Sequence, residues 1–78
     1  MRKVIIEKEN EQTVLLESIT PAKPIFAVRN GGIVGMIICE ERGYILRYPT
    51  GIGANGHHPS ILKCVESVGK LGFSFVTE

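Results

Sequence analysis

Reactive and ligand-competent side chains are concentrated between residues 51 and 64: GIGANG (51–56), the pair His57-His58, Ser60 three residues before Lys63, and Cys64. The Gly-x-Gly-x-x-Gly spacing lets backbone N–H groups approach a phosphate closely, because no Cβ stands in the way. Gly51, Gly53, Asn55, Gly56, His57 and His58 are therefore the candidate binding positions, for an anion or nucleotide or for the edge of a protein. Adjacent histidine side chains diverge, whereas a helical zinc pair needs them four residues apart, so no metal site is expected. They read as two solvated loop imidazoles placed to tune binding with pH. Ser60-x-x-Lys63 matches a nucleophile pattern, but its companion motifs Ser-Asp-Asn and Lys-Thr-Gly are absent. Cys64 falls on the apolar stripe of a helix, where a thiol is inert. No catalytic residue and no cofactor is expected, and the chain reads as a non-enzyme.

The surroundings of GIGANG are a strand-like YILRY (44–48) before it, a helix-like run after it, then Gly72 and a strand ending at Glu78. Over about 35 residues this resembles a dinucleotide-binding βαβ unit, which implies a pyrophosphate at the glycines and a ribose hydroxyl at Glu78. Pro49-Thr50 separates the strand from Gly51, His57-His58-Pro59 delays the helix, and an antiparallel meander replaces the remaining parallel strands. The stretch is accordingly expected to be a glycine-rich hinge, with anion or nucleotide binding kept as an alternative.

The elements that would position these residues follow from periodicity. KVIIEK (3–8) and TVLLESI (13–19) are rich in β-branched and aliphatic residues, and the polar ENEQ between them suggests a hairpin loop. TPAKP (20–24) interrupts, and PIFAVR (24–29) is the third strand, closed by Asn30-Gly31-Gly32, residues that tolerate positive φ. IVGMIICEE (33–41) is apolar at nearly every position, the pattern of a central strand buried on both faces. After a turn at Arg42-Gly43, YILRY alternates, with Tyr44, Leu46 and Tyr48 on one face and Ile45 and Arg47 on the other. PSILKCVESVGKLG (59–72) reads as a helix with Pro59 in its first turn, Gly72 just past its end and Ile61, Cys64, Val65, Val68 and Leu71 on one stripe. FSFVTE (73–78) is the last strand.

The fold class expected is α+β over residues 1–78 as one domain: a single, mainly antiparallel sheet of five to six strands with one helix packed on one face, in the order β-β-β-β-β-α-β. Six strands about 4.8 Å apart span nearly 29 Å, while a helix with its side chains is about 10–12 Å across. One helix cannot cover such a sheet. The sheet must curl, or a second subunit or another protein must close its apolar face.

Charge excludes a globally basic or acidic partner field: nine Lys or Arg stand against eight Asp or Glu, a net +1. Nucleic-acid binding would have to be local, through Arg29, Arg42 and Arg47 with Tyr44 and Tyr48 between them, and the alternation of 44–48 divides that set between two faces. The N-terminal MRKVIIEKEN has too short an apolar segment for a secretory signal, and GGIVGMIIC is too short to span a bilayer. A cytoplasmic protein with no membrane association and no disulfide between Cys39 and Cys64 is expected.

One stretch, MIICEERGYILRYPTGIG, resembles the hairpin that opens small antitoxins of the HicB type, where a Gly-Tyr turn leads through an aromatic-Pro pair to a glycine and a helix. Gly43, Tyr44, Tyr48, Pro49 and Gly53 fit that outline, while the acidic Gly-Asp-Thr lead-in is missing. The resemblance implies a layout suited to binding a partner. The function expected is a small interaction module that works through a sheet edge or an apolar sheet face, with itself as a homo-oligomer or with a partner protein.

Overall fold

The computed structural model describes residues 2–18, 24–51 and 53–77. The chain runs β1 (Arg2–Val4), α1 (Glu11–Ser18), β2 (Ile25–Arg29), β3 (Gly32–Glu40), β4 (Gly43–Arg47), β5 (Gly53–His58), α2 (Ile61–Ser67), a 3₁₀ turn at Gly69–Leu71, and β6 (Ser74–Thr77). All six strands form one sheet in the order β1-β6-β2-β3-β4-β5, and every neighbouring pair is antiparallel. This is the expected α+β architecture, with two elements changed. Among the described residues no helix is long and apolar enough to cross a membrane.

The first change is α1, which occupies residues expected to form the second strand; Ile19, at the end of that run, lies outside the described residues. The ENEQ segment starts a helix instead of closing a hairpin. The Glu7 N–H donates to Asn10 Oδ1 at 2.7 Å, and the Asn10 side-chain amide donates to the Ile5 carbonyl. Its own carbonyl then accepts the first helical bond, from the Val14 N–H at 3.0 Å. The chain leaves β1, which pairs with β6 at the edge of the sheet, and turns onto one face as a helix instead of adding a further strand. Val14 is buried against the core from the helix, and packing overrides its strand propensity. Of TPAKP, only Pro24 is among the described residues, immediately before β2.

The second change is at GIGANG. The expected hinge is β5, an edge strand paired with β4. Gly51 stays in a turn, its N–H donating to the Tyr48 carbonyl at 2.9 Å; Ile52 lies outside the described residues. Glycine serves at 53 because a Cβ there would run into Ile45 Cδ1 of the neighbouring strand. The helix that follows is shorter than the 59–72 read from periodicity: Pro59 precedes it, and Ser60 caps it by accepting the Lys63 N–H at 3.1 Å. Gly72, in the left-handed region at φ 72°, ends the 3₁₀ turn that completes the segment. Ser60→Ala removes the cap and is expected to cost about 1 kcal/mol, read as a lower urea midpoint at unchanged slope.

Both helices lie on one face of the sheet. Ile25, Ile37 and Leu46 form one cross-strand row on that face, and Ala27 pairs with Phe75 in the next. Ile61, Cys64 and Val68 of the α2 segment pack onto these side chains in one buried cluster. Burial pushes the Cys64 thiol up to about 11, in keeping with its reading as a small core hydrophobe. The helices are tied together by Glu11, whose Oε1 accepts the Leu62 N–H at 3.0 Å. Cys39 is exposed and Cys64 buried, and both are free.

Candidate functional site

The outer face of the sheet, opposite the helices, is where apolar surface and a charged cluster meet. Strand registers align Lys3, Val76, Phe26, Met36, Arg47 and Gly53 in a row that crosses all six strands. Val28 pairs with Ile33 on one side of this row and Ile38 with Ile45 on the other. The strand β3, expected to be buried on both faces, is buried on one: Ile37 is 0% exposed, whereas Ile33 is 51% and Met36 37% exposed. Six strands with both helices on the same side leave this half of the apolar pattern without a cover.

Beside Met36 the face dips into an open hollow of about 350 Å³, walled by Ile33, Gly35, Ile38, Tyr48 and Pro49, with Arg47 and Gly51 at its rim. That volume is at the lower end for sites that take a small ligand or an anchoring side chain.

Arg47, which lines the hollow, belongs with Glu40 and His57 to a group of three charged or titratable side chains that satisfy one another. Arg47 donates through Nη2 to Glu40 Oε1 at 2.7 Å and through Nε to Glu40 Oε2 at 3.1 Å, a two-pronged pairing of guanidinium and carboxylate. Its Nη1 donates to the Gly51 carbonyl at 2.8 Å, which anchors the turn after β4. Glu40 Oε1 also lies 2.7 Å from His57 Nε2; an ionised carboxylate only accepts, so the imidazole donates from Nε2. The Arg47 hydrogen bonds, and then that of His57, hold the Glu40 carboxyl down at about 2, and the same pairing raises Arg47.

A depressed carboxylate stabilises the fold above its ordinary value of 4.5, and that contribution is lost progressively as pH falls from there through about 2. The Glu40 side-chain carboxyl resonance should titrate with a midpoint near 2, and Arg47→Ala should move the midpoint up toward 4.5.

The structure scatters the rest of the sequence-derived candidates. His57 and His58 are not solvated loop residues: both are half-buried strand residues on opposite faces of β5. His58 pairs with Tyr44 on the helix side, where its Nε2 is buried without a hydrogen-bond partner among the described residues. Burial raises the Tyr44 hydroxyl above its ordinary value. Gly53, Asn55 and Gly56 belong to the backbone of β5, so the helix N-terminus and the glycines do not form the phosphate cradle of a dinucleotide unit. Glu78 lies outside the described residues.

Of the nucleic-acid set, Arg29 stacks over Phe73 at 5.3 Å, Arg42 is exposed in the β3–β4 turn, and Arg47 is engaged by Glu40 on the face opposite Tyr44. Tyr48 packs at the edge of the core and walls the hollow.

Sequence reasoning overlooked Glu40 as a partner of Arg47 and His57. It also overlooked Ile33, Met36 and Ile38 as surface. The signal for Glu40 was present: alternation through the β3–β4 hairpin places residues 36, 38 and 40 on the same side as 45 and 47. No protein-family model, curated protein or solved structure matches the chain.

Proposed function

We propose that the chain is a small non-enzymatic protein-interaction module that binds through the outer face of its sheet. The observation that carries this reading is the exposure of Ile33 and Met36 on a central strand that is apolar on both sides. A strand of that composition is suited to cover on both faces, and here the helices supply only one. Further support comes from the Glu40–Arg47–His57 cluster, whose members are paired with each other and leave no lone charge to desolvate when a partner lands. The hollow beside Met36 suits an anchoring side chain from the partner.

The test is site-specific photo-crosslinking in the producing cell, with the reactive group placed at Met36 and, as a control, at Lys63, an exposed residue of α2. Protein adducts should form from position 36 and not from position 63. Equal yields from both positions, or none from position 36, would overturn the reading.

A further inference from the structure

Resting on that reading, we infer that the partner of the outer face is a second copy of this chain, packed sheet against sheet about a two-fold axis beside Met36. Three observations point to this occupant. The first is area. The Cα envelope is nearly isometric at 27 × 27 × 25 Å, so one face amounts to about one sixth of the 5053 Å² surface, or roughly 840 Å²; a stable interface takes about 800 Å² from each partner.

The second is shape. Met36 is both an exposed side chain and a wall of the neighbouring hollow. A two-fold axis next to it sets each copy's Met36 into the other's hollow, the self-complementarity an isologous dimer needs. Methionine, unbranched and adaptable, suits such a gap. The third is charge. The central row of the face is Val76, Phe26 and Met36, with Lys3 at one end and Arg47 at the other. Arg47 is already neutralised by Glu40, and Lys3 is exposed on β1, the strand at the edge of the sheet. Two apolar centres can therefore stack about 10 Å apart, with Lys3 at the rim and the Arg47 charge, near the axis, already paired with Glu40.

Sedimentation of the purified chain should show a dimer across micromolar to submillimolar concentrations. Met36→Arg buries an unpaired guanidinium in each half and should weaken the dimer at least about 100-fold, with the circular dichroism unchanged. In a Cys39→Ser background, Met36→Cys should cross-link two copies under mild oxidation. A wild-type chain that is monomeric at all these concentrations, or a dimer that Met36→Arg leaves intact, overturns the inference. The crosslinking experiment separates the two failures: adducts from position 36 with a different protein, from a chain that sediments as a monomer, refute the dimer and leave the interaction reading standing, whereas no adduct from that position refutes both.

Discussion

Ile37→Ala is expected to remove a large share of the stability of this domain. Ile37 is fully buried at the middle of β3, in register with Ile25 on one side and Leu46 on the other, and truncating such a residue costs about 2–5 kcal/mol. A chain of 78 residues has roughly 4–12 kcal/mol in total, so the variant should unfold at a much lower urea concentration and be partly unfolded without denaturant at the low end of that range. The informative control is the adjacent residue. Met36 points to the other face, and Met36→Ala, measured where the chain is monomeric, should change stability by no more than about 0.5 kcal/mol. If the chain dimerises through that face, the Met36→Ala effect should grow with protein concentration, whereas the Ile37→Ala deficit should remain at every concentration. Similar losses at both positions in dilute solution would mean that the two faces of β3 are not distinguished as described.

Gly43→Ala is the second large effect. Gly43 has φ +125°, a conformation that side chains other than glycine rarely adopt, and an added Cβ would lie 2.5 Å from the carbonyl oxygen of His58 and 3.2 Å from its carbon. Both atoms are backbone, so relief requires β5 to move away from β4, which breaks the Tyr44–His58 pairing. Strain and lost pairing together should cost at least about 2 kcal/mol. Hydrogen exchange should quicken first in β5, an edge strand whose backbone ladder is with β4. Gly31→Ala separates backbone strain from collision. That glycine also has positive φ, at +78°, but nothing lies within 4 Å of the added carbon, so the cost should be limited to about 1 kcal/mol. Equal losses at the two sites would remove the steric part of the argument.

The Gly43 effect bears on how the outer face of the sheet is held. The His57 side chain reaches Glu40 only while β5 is docked on β4, and Arg47 holds the Gly51 turn at the rim of the hollow. Displacing β5 should therefore raise the Glu40 midpoint as well, since the His57 hydrogen bond contributes to its depression.

Local features of the fold were legible wherever a single residue's conformational preference decides the outcome. Asn30 and Gly31 carry the positive φ values of a two-residue hairpin loop, because both tolerate that region at little steric cost. Gly72 ends the α2 segment in the left-handed region, and β2, β3, β4, α2 and β6 fall near the positions that periodicity indicates. The alternation of residues 44–48 correctly set Arg47 and Tyr44 on opposite sides.

Two segments were misread, because what decides them is contact with neighbouring elements and not the preference of any one residue. In residues 11–18 Glu, Gln and Leu outnumber the β-branched Thr13 and Val14, and the helix is secured by the Asn10 turn and by Glu11 reaching Leu62. GIGANG has the composition of a loop, and its residues 53–56 join a strand because β4 offers an open edge and Gly53 fits over Ile45.

The amino-acid sequence by itself determined a small α+β domain with more apolar sheet than its helical segments can cover, since that follows from counting strand width against helix width. Only the tertiary structure decided which half of the apolar pattern is left over. Placing β6 between β1 and β2 and stacking both helices on one side buries Ile37 and exposes Ile33 and Met36. It also brings Glu40, Arg47 and His57, from three different strands, into one hydrogen-bonded group. Pairing across strands is a property of register, and register is set by contacts between segments that no local preference encodes.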